Sequence, residues 1–319
     1  MGVLEMANKQ FDFIKNFRFF FCITLAILTI GLVINFIFGT KLDINFKGGT
    51  VITYSYTGNL DENAVEKVVQ DKTKQDLSIS TSEDMSTKAK TFTLSFSNDK
   101  PITADDQKAI TTELTAKFKD SKISQVNFNS VGPSVGSVFF QKSLYVIFLA
   151  GFFVVIYVAF RFRKIGGISA GVTGMVALVH DIIMVYFVYV IFRFPLDDNF
   201  IAVVLTILGY SLNDTIVIYD RMRENRDSFG SKYSTRDLVN MSVNQSLKRS
   251  VITALMTFIS ITVVYVVALI RGLDTIITFA LPMSIGILFG AYSTFFIATP
   301  LWVFWQDFKD KRALKKKKA

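Results

Sequence analysis

Residues 200–219 read FIAVVLTILGYSLNDTIVIY, a run of apolar and small polar residues with a single acid, Asp214. A run of about 20 such residues crosses the roughly 30 Å hydrocarbon core of a bilayer as one helix. A charged side chain inside it costs about 2.5–3.5 kcal/mol on insertion scales, so the acid needs a partner, a proton or a water-filled path. The stretch therefore marks a membrane protein and makes Asp214 a candidate functional residue. Tyr210 and Ser211 lie on its face one turn earlier, and Asn213 and Thr215 add hydrogen-bonding capacity that a purely lipid-facing helix would not carry.

Working outward, the 319-residue chain is 51% hydrophobic and contains 32 Phe, a composition unlike that of a soluble protein. Scanning for apolar runs predicts six spans: residues 16–38, 141–160, 166–192, 200–219, 251–270 and about 275–305. The last would reach roughly 45 Å as a straight helix, which predicts a tilt, a kink near Pro282 or an extension past the bilayer. Lys9, Lys15 and Arg18 before the first span, Arg161, Arg163 and Lys164 after the second, seven cations between Arg221 and Arg249, and the Lys309–Lys318 tail all fall on one side. By the positive-inside rule both termini are cytoplasmic and residues 39–140 extracytoplasmic. The net charge of +9 then reflects topology and anionic lipid, not nucleic acid. The first run lacks a small-residue cleavage site and reads as a retained signal-anchor helix. Cys22, the one cysteine, lies within it and can form no internal disulfide.

Between the first two spans the hydrophobic period changes. Residues 51–56, 77–81, 91–97 and 123–128 read as strands, and 60–75 and 107–119 as helices, the second opened by Thr103 with Asp106 three residues on. The order strand, helix, strand, strand, helix, strand predicts a ferredoxin-like α+β domain. The layout is thus an N-terminal segment (1–15), helix 1 (16–38), the external domain (39–140), a five-helix membrane domain (141–306) and a basic tail (307–319).

Two more groups stand out within the spans. His180 and Asp181 fall near the centre of the third span, about 100° apart on the helix, and are expected to face different partners. They read either as a polar pair fixing helix packing or as a proton relay. Arg249 opens the fifth span, where a cation is ordinary anchoring, yet its depth matches that of Asp214 and a pair between them is geometrically possible. Gly167, Gly171, Gly174, Gly286 and Gly290 are spaced to let helices approach closely. The mixed charges from Asp220 to Glu224 read as surface ion pairs.

These residues carry a resemblance. Gly209-Tyr210-Ser211-Leu212-Asn213-Asp214-Thr215, continuing to Asn225, resembles the signature of the SecD/SecF family of protein-export membrane proteins, on its SecF side. Val131–Gly136, His180-Asp181, Asn244–Thr253 and Gly290-Ala291-Tyr292-Ser293 reinforce it, and it spans the whole chain. The family usually has Asp-Phe before its paired glycines; here Asn45-Phe46-Lys47-Gly48-Gly49 stands in that place, so the glycine turn is kept and a carboxylate is lost. The resemblance implies SecD as partner, association with the SecYEG channel and SecA, a YidC-type insertase and a translocating preprotein as further contacts, and use of the proton or sodium motive force. It implies Asp214 and Arg249 in the ion pathway, with His180 and Asp181 supporting them, and neither catalysis nor a cofactor. Other readings are an intramembrane aspartyl protease using Asp181 and Asp214, an efflux transporter of the resistance-nodulation-division type, and a passive assembly subunit. No Gly-x-x-x-x-Gly-Lys nucleotide loop occurs, and one His with one Cys leaves too few ligands for a zinc site.

Overall fold

The computed structural model describes residues 11–75, 77–83, 90–96 and 102–318; Lys9 and Ser97 of the sequence reading lie outside them. Helix α1 (Phe17–Phe38) ends at Gly39, whose φ of 65° a side chain would resist. A single turn, α2 (Ile44–Lys47), follows, capped by the Asp43 carboxylate on Asn45 N at 2.9 Å. The paired glycines then turn the chain with positive φ, 80° at Gly48 and 138° at Gly49. A side chain is excluded opposite them as well, because a Cβ on Gly136 would lie 2.6 Å from Gly48 N. The small residues here allow a close backbone contact between α2 and the helix that re-enters the membrane domain.

The external domain runs β1 (Gly49–Tyr56), α3 (Glu62–Thr73), β2 (Leu77–Glu83), β3 (Lys90–Phe96), α4 (Ala104–Lys117) and β4 (Ser124–Val131). Its strands form one sheet in the order β2-β3-β1-β4, each neighbour antiparallel. Alternation sends Ile52, Tyr54, Phe92, Leu94 and Phe96 to one face, against Val65, Val69, Ile110 and Leu114 of the two helices. Thr103 and Asp106 cap α4 reciprocally: Asp106 N donates to Thr103 Oγ1 at 3.2 Å and Thr103 N to the Asp106 carboxylate at 3.0 Å. Those bonds hold the Asp106 carboxyl below the usual range.

The chain then re-enters through α5 (Pro133–Arg161), α6 (Gly167–Ile191), α7 (Asp198–Phe229) and α8 (Thr235–Arg271). The final span runs as α9 (Asp274–Ser293), a π-helical turn (Thr294–Ala298) and α10 (Thr299–Lys318). With α1, six helices among the described residues are long and apolar enough to cross a membrane. Helix α6 is the centre of the bundle: 61% of its apolar window is buried, against 11% for α1 and α8. Glycine makes that position possible, since a Cβ on Gly167 would lie 2.0 Å from Ala159 O of α5. Pro282 sits inside α9 without ending it; the irregularity of the long last span is the π turn instead. Helices α7 and α8 also run past the predicted span ends. Their extensions, from Asp220 and back to Thr235, pack Met222, Val239 and Val243 against Phe13, Phe162, Trp302 and Val303.

The external domain is joined to the bundle beside α7. Leu196 N donates to Lys41 O at 2.8 Å and Asp43 N to Leu196 O at 3.0 Å, a parallel bridge between the end of α1 and the α6–α7 loop. Asp43, Asp197 and Asp198 gather there, and Asn45 Nδ2 donates to Asp198 Oδ2 at 3.4 Å. A carboxylate at position 45 would add a fourth acid to this cluster, which is a physical reason for the amide. Burial pushes the Asp197 carboxyl up to about 6, with the charges of Asp43 and Asp198 adding to the effect and its bond from Phe200 N opposing it. Because the folded pKa lies above the ordinary value of about 3.9, Asp197 contributes most stability below about pH 4 and loses it as pH rises to about 6. Thermal melts of the purified protein should therefore show this loss, Asp197→Asn should flatten it while keeping the helix cap, and Asn45→Asp should lower the melting temperature by a few degrees at pH 7.5.

Candidate functional site

Asp181 is brought to the middle of the bundle by α6 and has no exposed surface. Its Oδ2 accepts from Ser211 Oγ of α7 at 2.7 Å and from Ser293 Oγ of α9 at 2.8 Å. Its Oδ1 lies 3.0 Å from His180 Nδ1. Three hydrogen-bond partners satisfy the Asp181 carboxyl group where hydrocarbon would leave it unpaired. Gly290 eases the convergence: a Cβ there would lie 3.2 Å from Ser211 Cβ, a tight contact that would press α9 away from α7 beside Asp181.

His180 and Asp181 face different partners, the ring of His180 toward Phe289 and Tyr292 and the carboxyl of Asp181 toward Ser211 and Ser293, and they also meet each other. The helix does separate their Cα–Cβ bonds, but Nδ1 sits close to the backbone and swings back to the neighbouring carboxylate. His180 is 6% exposed, its Nε2 has no hydrogen-bond partner, and its ring lies 6.2 Å from that of Tyr292. The Tyr292 hydroxyl donates to Phe20 O at 2.8 Å and meets Thr24 Oγ1 at 2.9 Å, tying the same region to α1.

Asp214 is 2% exposed and lives differently. Its Oδ2 has no hydrogen-bond partner. The groups acting on it are Ser250 and Arg249, both of α8. Ser250 Oγ and the Tyr210 hydroxyl are buried in the same seam between α7 and α8, Ser250 facing Asp214 and Tyr210 facing Thr257.

No ion pair joins Asp214 to Arg249 among the described residues. Arg249 is exposed and lines a cavity of about 590 Å³ with Arg161, Asp220, Arg221, Glu224 and Gln245. The cavity wall includes Val217 and Ser246, one helical turn from Asp214 and Ser250 respectively. Around it the mixed charges pair as expected, Arg161 with Asp220 at 3.0 Å, Arg223 with Asp220 at 3.1 Å and Arg221 with Glu224 at 2.9 Å.

The remaining motif residues divide by face. Ser211 and Thr215 are buried, and Thr215 Oγ1 meets Thr294 Oγ1 of the π turn at 3.1 Å. Gly209 and Asn213, four residues apart, are exposed on the outer face of α7, and a Cβ on Gly209 would touch nothing within 4 Å. Gly48 and Gly49 lie away from the carboxylates, at the joint with the external domain. Sequence reasoning did not give Ser293 or Ser250 a role; each sits in a quoted motif, and a small hydroxyl one turn after Gly290 or directly after Arg249 was the available signal. Replacing Ser211 or Ser293 with Ala removes a donor from a buried carboxylate and should cost about 1–3 kcal/mol in detergent melts.

A family described as "Protein export membrane protein SecD/SecF, C-terminal" matches residues 110–308. The protein translocase subunit SecF of Alicyclobacillus acidocaldarius is 31% identical over 316 residues, covering 98% of both chains. That of Calditerrivibrio nitroreducens is 32% identical over 295 residues, covering 92% of this chain and 93% of its own. The crystal structure of SecDF, a translocon-associated membrane protein from Thermus, superposes with a TM-score of 0.78 at 26% identity, over 94% of this chain and 39% of that one. A second SecDF structure, in the super-membrane-facing form, gives a TM-score of 0.66 at 27% identity over 98% of this chain. The SecDF of Bacillus subtilis matches over 98% of this chain, which spans 40% of that relative's length.

Proposed function

Since the chain belongs to the SecD/SecF family of protein-export membrane proteins, we propose that it is the SecF subunit of a SecD–SecF accessory complex and uses an ion gradient to promote late steps of export. SecD is the partner, as relatives and solved structures named SecDF carry both parts in one chain. SecYEG with SecA, a YidC-type insertase and the translocating preprotein are further contacts in this reading. Both termini lie on the Lys- and Arg-rich cytoplasmic side, and residues 39–140 outside. The domain limits follow the chain: segment 1–15, helix 16–38, external domain 39–140, five-helix domain 141–306 and tail 307–319. The external sheet order β2-β3-β1-β4, with both helices on one face, supports a ferredoxin-like domain.

The observation that carries the ion-coupling assignment is the contrast between the two acids. Asp181, saturated by Ser211, Ser293 and His180, holds α6, α7 and α9 together. Asp214, with an unbonded oxygen one turn from the cytoplasmic cavity, is the group that exchanges the ion. Arg249 acts on it across the seam without a direct pair, so protonation removes an attraction between α7 and α8 and biases the bundle between two arrangements. One charge moved through the membrane potential supplies about 2.3 kcal/mol per 100 mV, enough to shift an equilibrium of a few kcal/mol. The joint at Lys41–Asp43 and Leu196–Asp198 carries that shift to the external domain. Asp214→Asn should abolish gradient-dependent stimulation of secretion while membrane insertion is retained; full stimulation would return the chain to a passive assembly role.

The exposed Gly209 and Asn213 offer α7 a polar, close-packing face that lipid gives no reason to keep. In this reading SecD covers it. Gly209→Leu, which has open space within the chain, should leave the melt of the isolated subunit intact and reduce co-purification with SecD by an order of magnitude or more.

A further inference from the structure

At the basic end of the bundle three cations follow one another in the turn between α5 and α6, and two of them are satisfied. Arg161 pairs with Asp220 at 3.0 Å and Lys164 with Asp227 at 3.1 Å, both acids of α7. Arg163, between them, has no carboxylate partner among the described residues. It stacks its guanidinium 4.4 Å from the ring of Phe160, which fixes it at the rim of a separate cavity of about 420 Å³. The second cation of that rim is Lys309 of α10, likewise without a carboxylate.

The cavity is held in shape by the chain itself. Ser169 Oγ donates to Gly166 O at 2.6 Å, and Gln306 Nε2 donates to Ser169 Oγ at 2.8 Å. The second bond locks α10 against the start of α6 and keeps Lys309, three residues further on, over the same opening. A Cβ on Gly166, whose φ is 90°, would lie 2.9 Å from Gln306 Nε2. The other walls are apolar and open: Phe160 is 63% exposed and Ile168 75% exposed, at the ends of two spanning helices.

We propose that this cavity is a binding site for one anionic phospholipid, its phosphate held between Arg163 and Lys309 and its upper acyl chains lying along Phe160 and Ile168. Two cations on one rim, neither paired with a carboxylate among the described residues, match a phosphate. The exposed apolar walls favour the lipid over a free phosphate, which has no use for them. Attraction of this kind weakens roughly 5-fold for each cation removed, so on the order of 30-fold for both.

Native mass spectrometry of the purified full chain in detergent, titrated with phosphatidylglycerol and with phosphatidylcholine, reads the site directly. The expected result is one tightly held phosphatidylglycerol, its affinity about 30-fold lower in Arg163→Gln/Lys309→Gln and restored in large part by Arg163→Lys alone. Arg226→Gln/Lys232→Gln removes equal charge from the α7–α8 hairpin and should leave binding unchanged. Equal loss in both double variants, or none in either, overturns the site in favour of diffuse attraction to the basic face. Displacement of the lipid by millimolar glycerol 3-phosphate overturns the choice of a lipid as its ligand. Melting curves of each variant establish that the fold is retained.

Discussion

A carboxylate with no exposed surface must find its hydrogen bonds inside the bundle, and Asp181 finds them on three sides. That requirement sets the rest of the membrane domain. Helix α6 must be central to carry the acid, α7 must present Ser211, and α9 must present Ser293. Gly290 leaves room for α7 and α9 to pack closely where the two serines meet one oxygen. The π turn begins immediately after Ser293, so the bond to Asp181 fixes the position at which the last span changes its winding.

Against that fixed point Asp214 is the exception. It lies one turn past Ser211 on the same helix, yet its Oδ2 is left without a donor. Two acids in one bundle thus have opposite environments, one saturated and one open toward a charged cavity. Arg249 belongs to the cavity, so its influence on Asp214 is electrostatic and adjustable, which a bidentate pair would not be.

Hydropathy located all six spans, because lipid contact demands uninterrupted apolar length. It could not tell where the helices stop. Asp220–Phe229 and Thr235–Arg249 are polar yet helical, capped by Gly230 at one end and Ser234 at the other, and their packing on Trp302 and Phe13 is tertiary. Strand alternation and the Thr103 cap were legible for the same local reason. The candidate residues Asp214, Asp181, His180 and Arg249 were visible because charge in a span is conspicuous. Their pairing was not, since it depends on rotamers and on serines that hydropathy treats as neutral. Asn45 shows the limit most clearly: its meaning is the carboxylate cluster of Asp43, Asp197 and Asp198, of which the last two are some 150 residues away in sequence.

The central claim is that Asp214 exchanges a proton while Asp181 stays as it is. Infrared difference spectroscopy on the reconstituted complex with SecD, stepping the pH on the basic side of the membrane, observes the carboxyl groups themselves. The account predicts a protonation-sensitive carboxyl band that disappears in Asp214→Asn and is insensitive to removal of the Asp181 donor Ser293. A band that survives in Asp214→Asn and shifts in Ser293→Ala would contradict it, and would make Asp181 the coupling group.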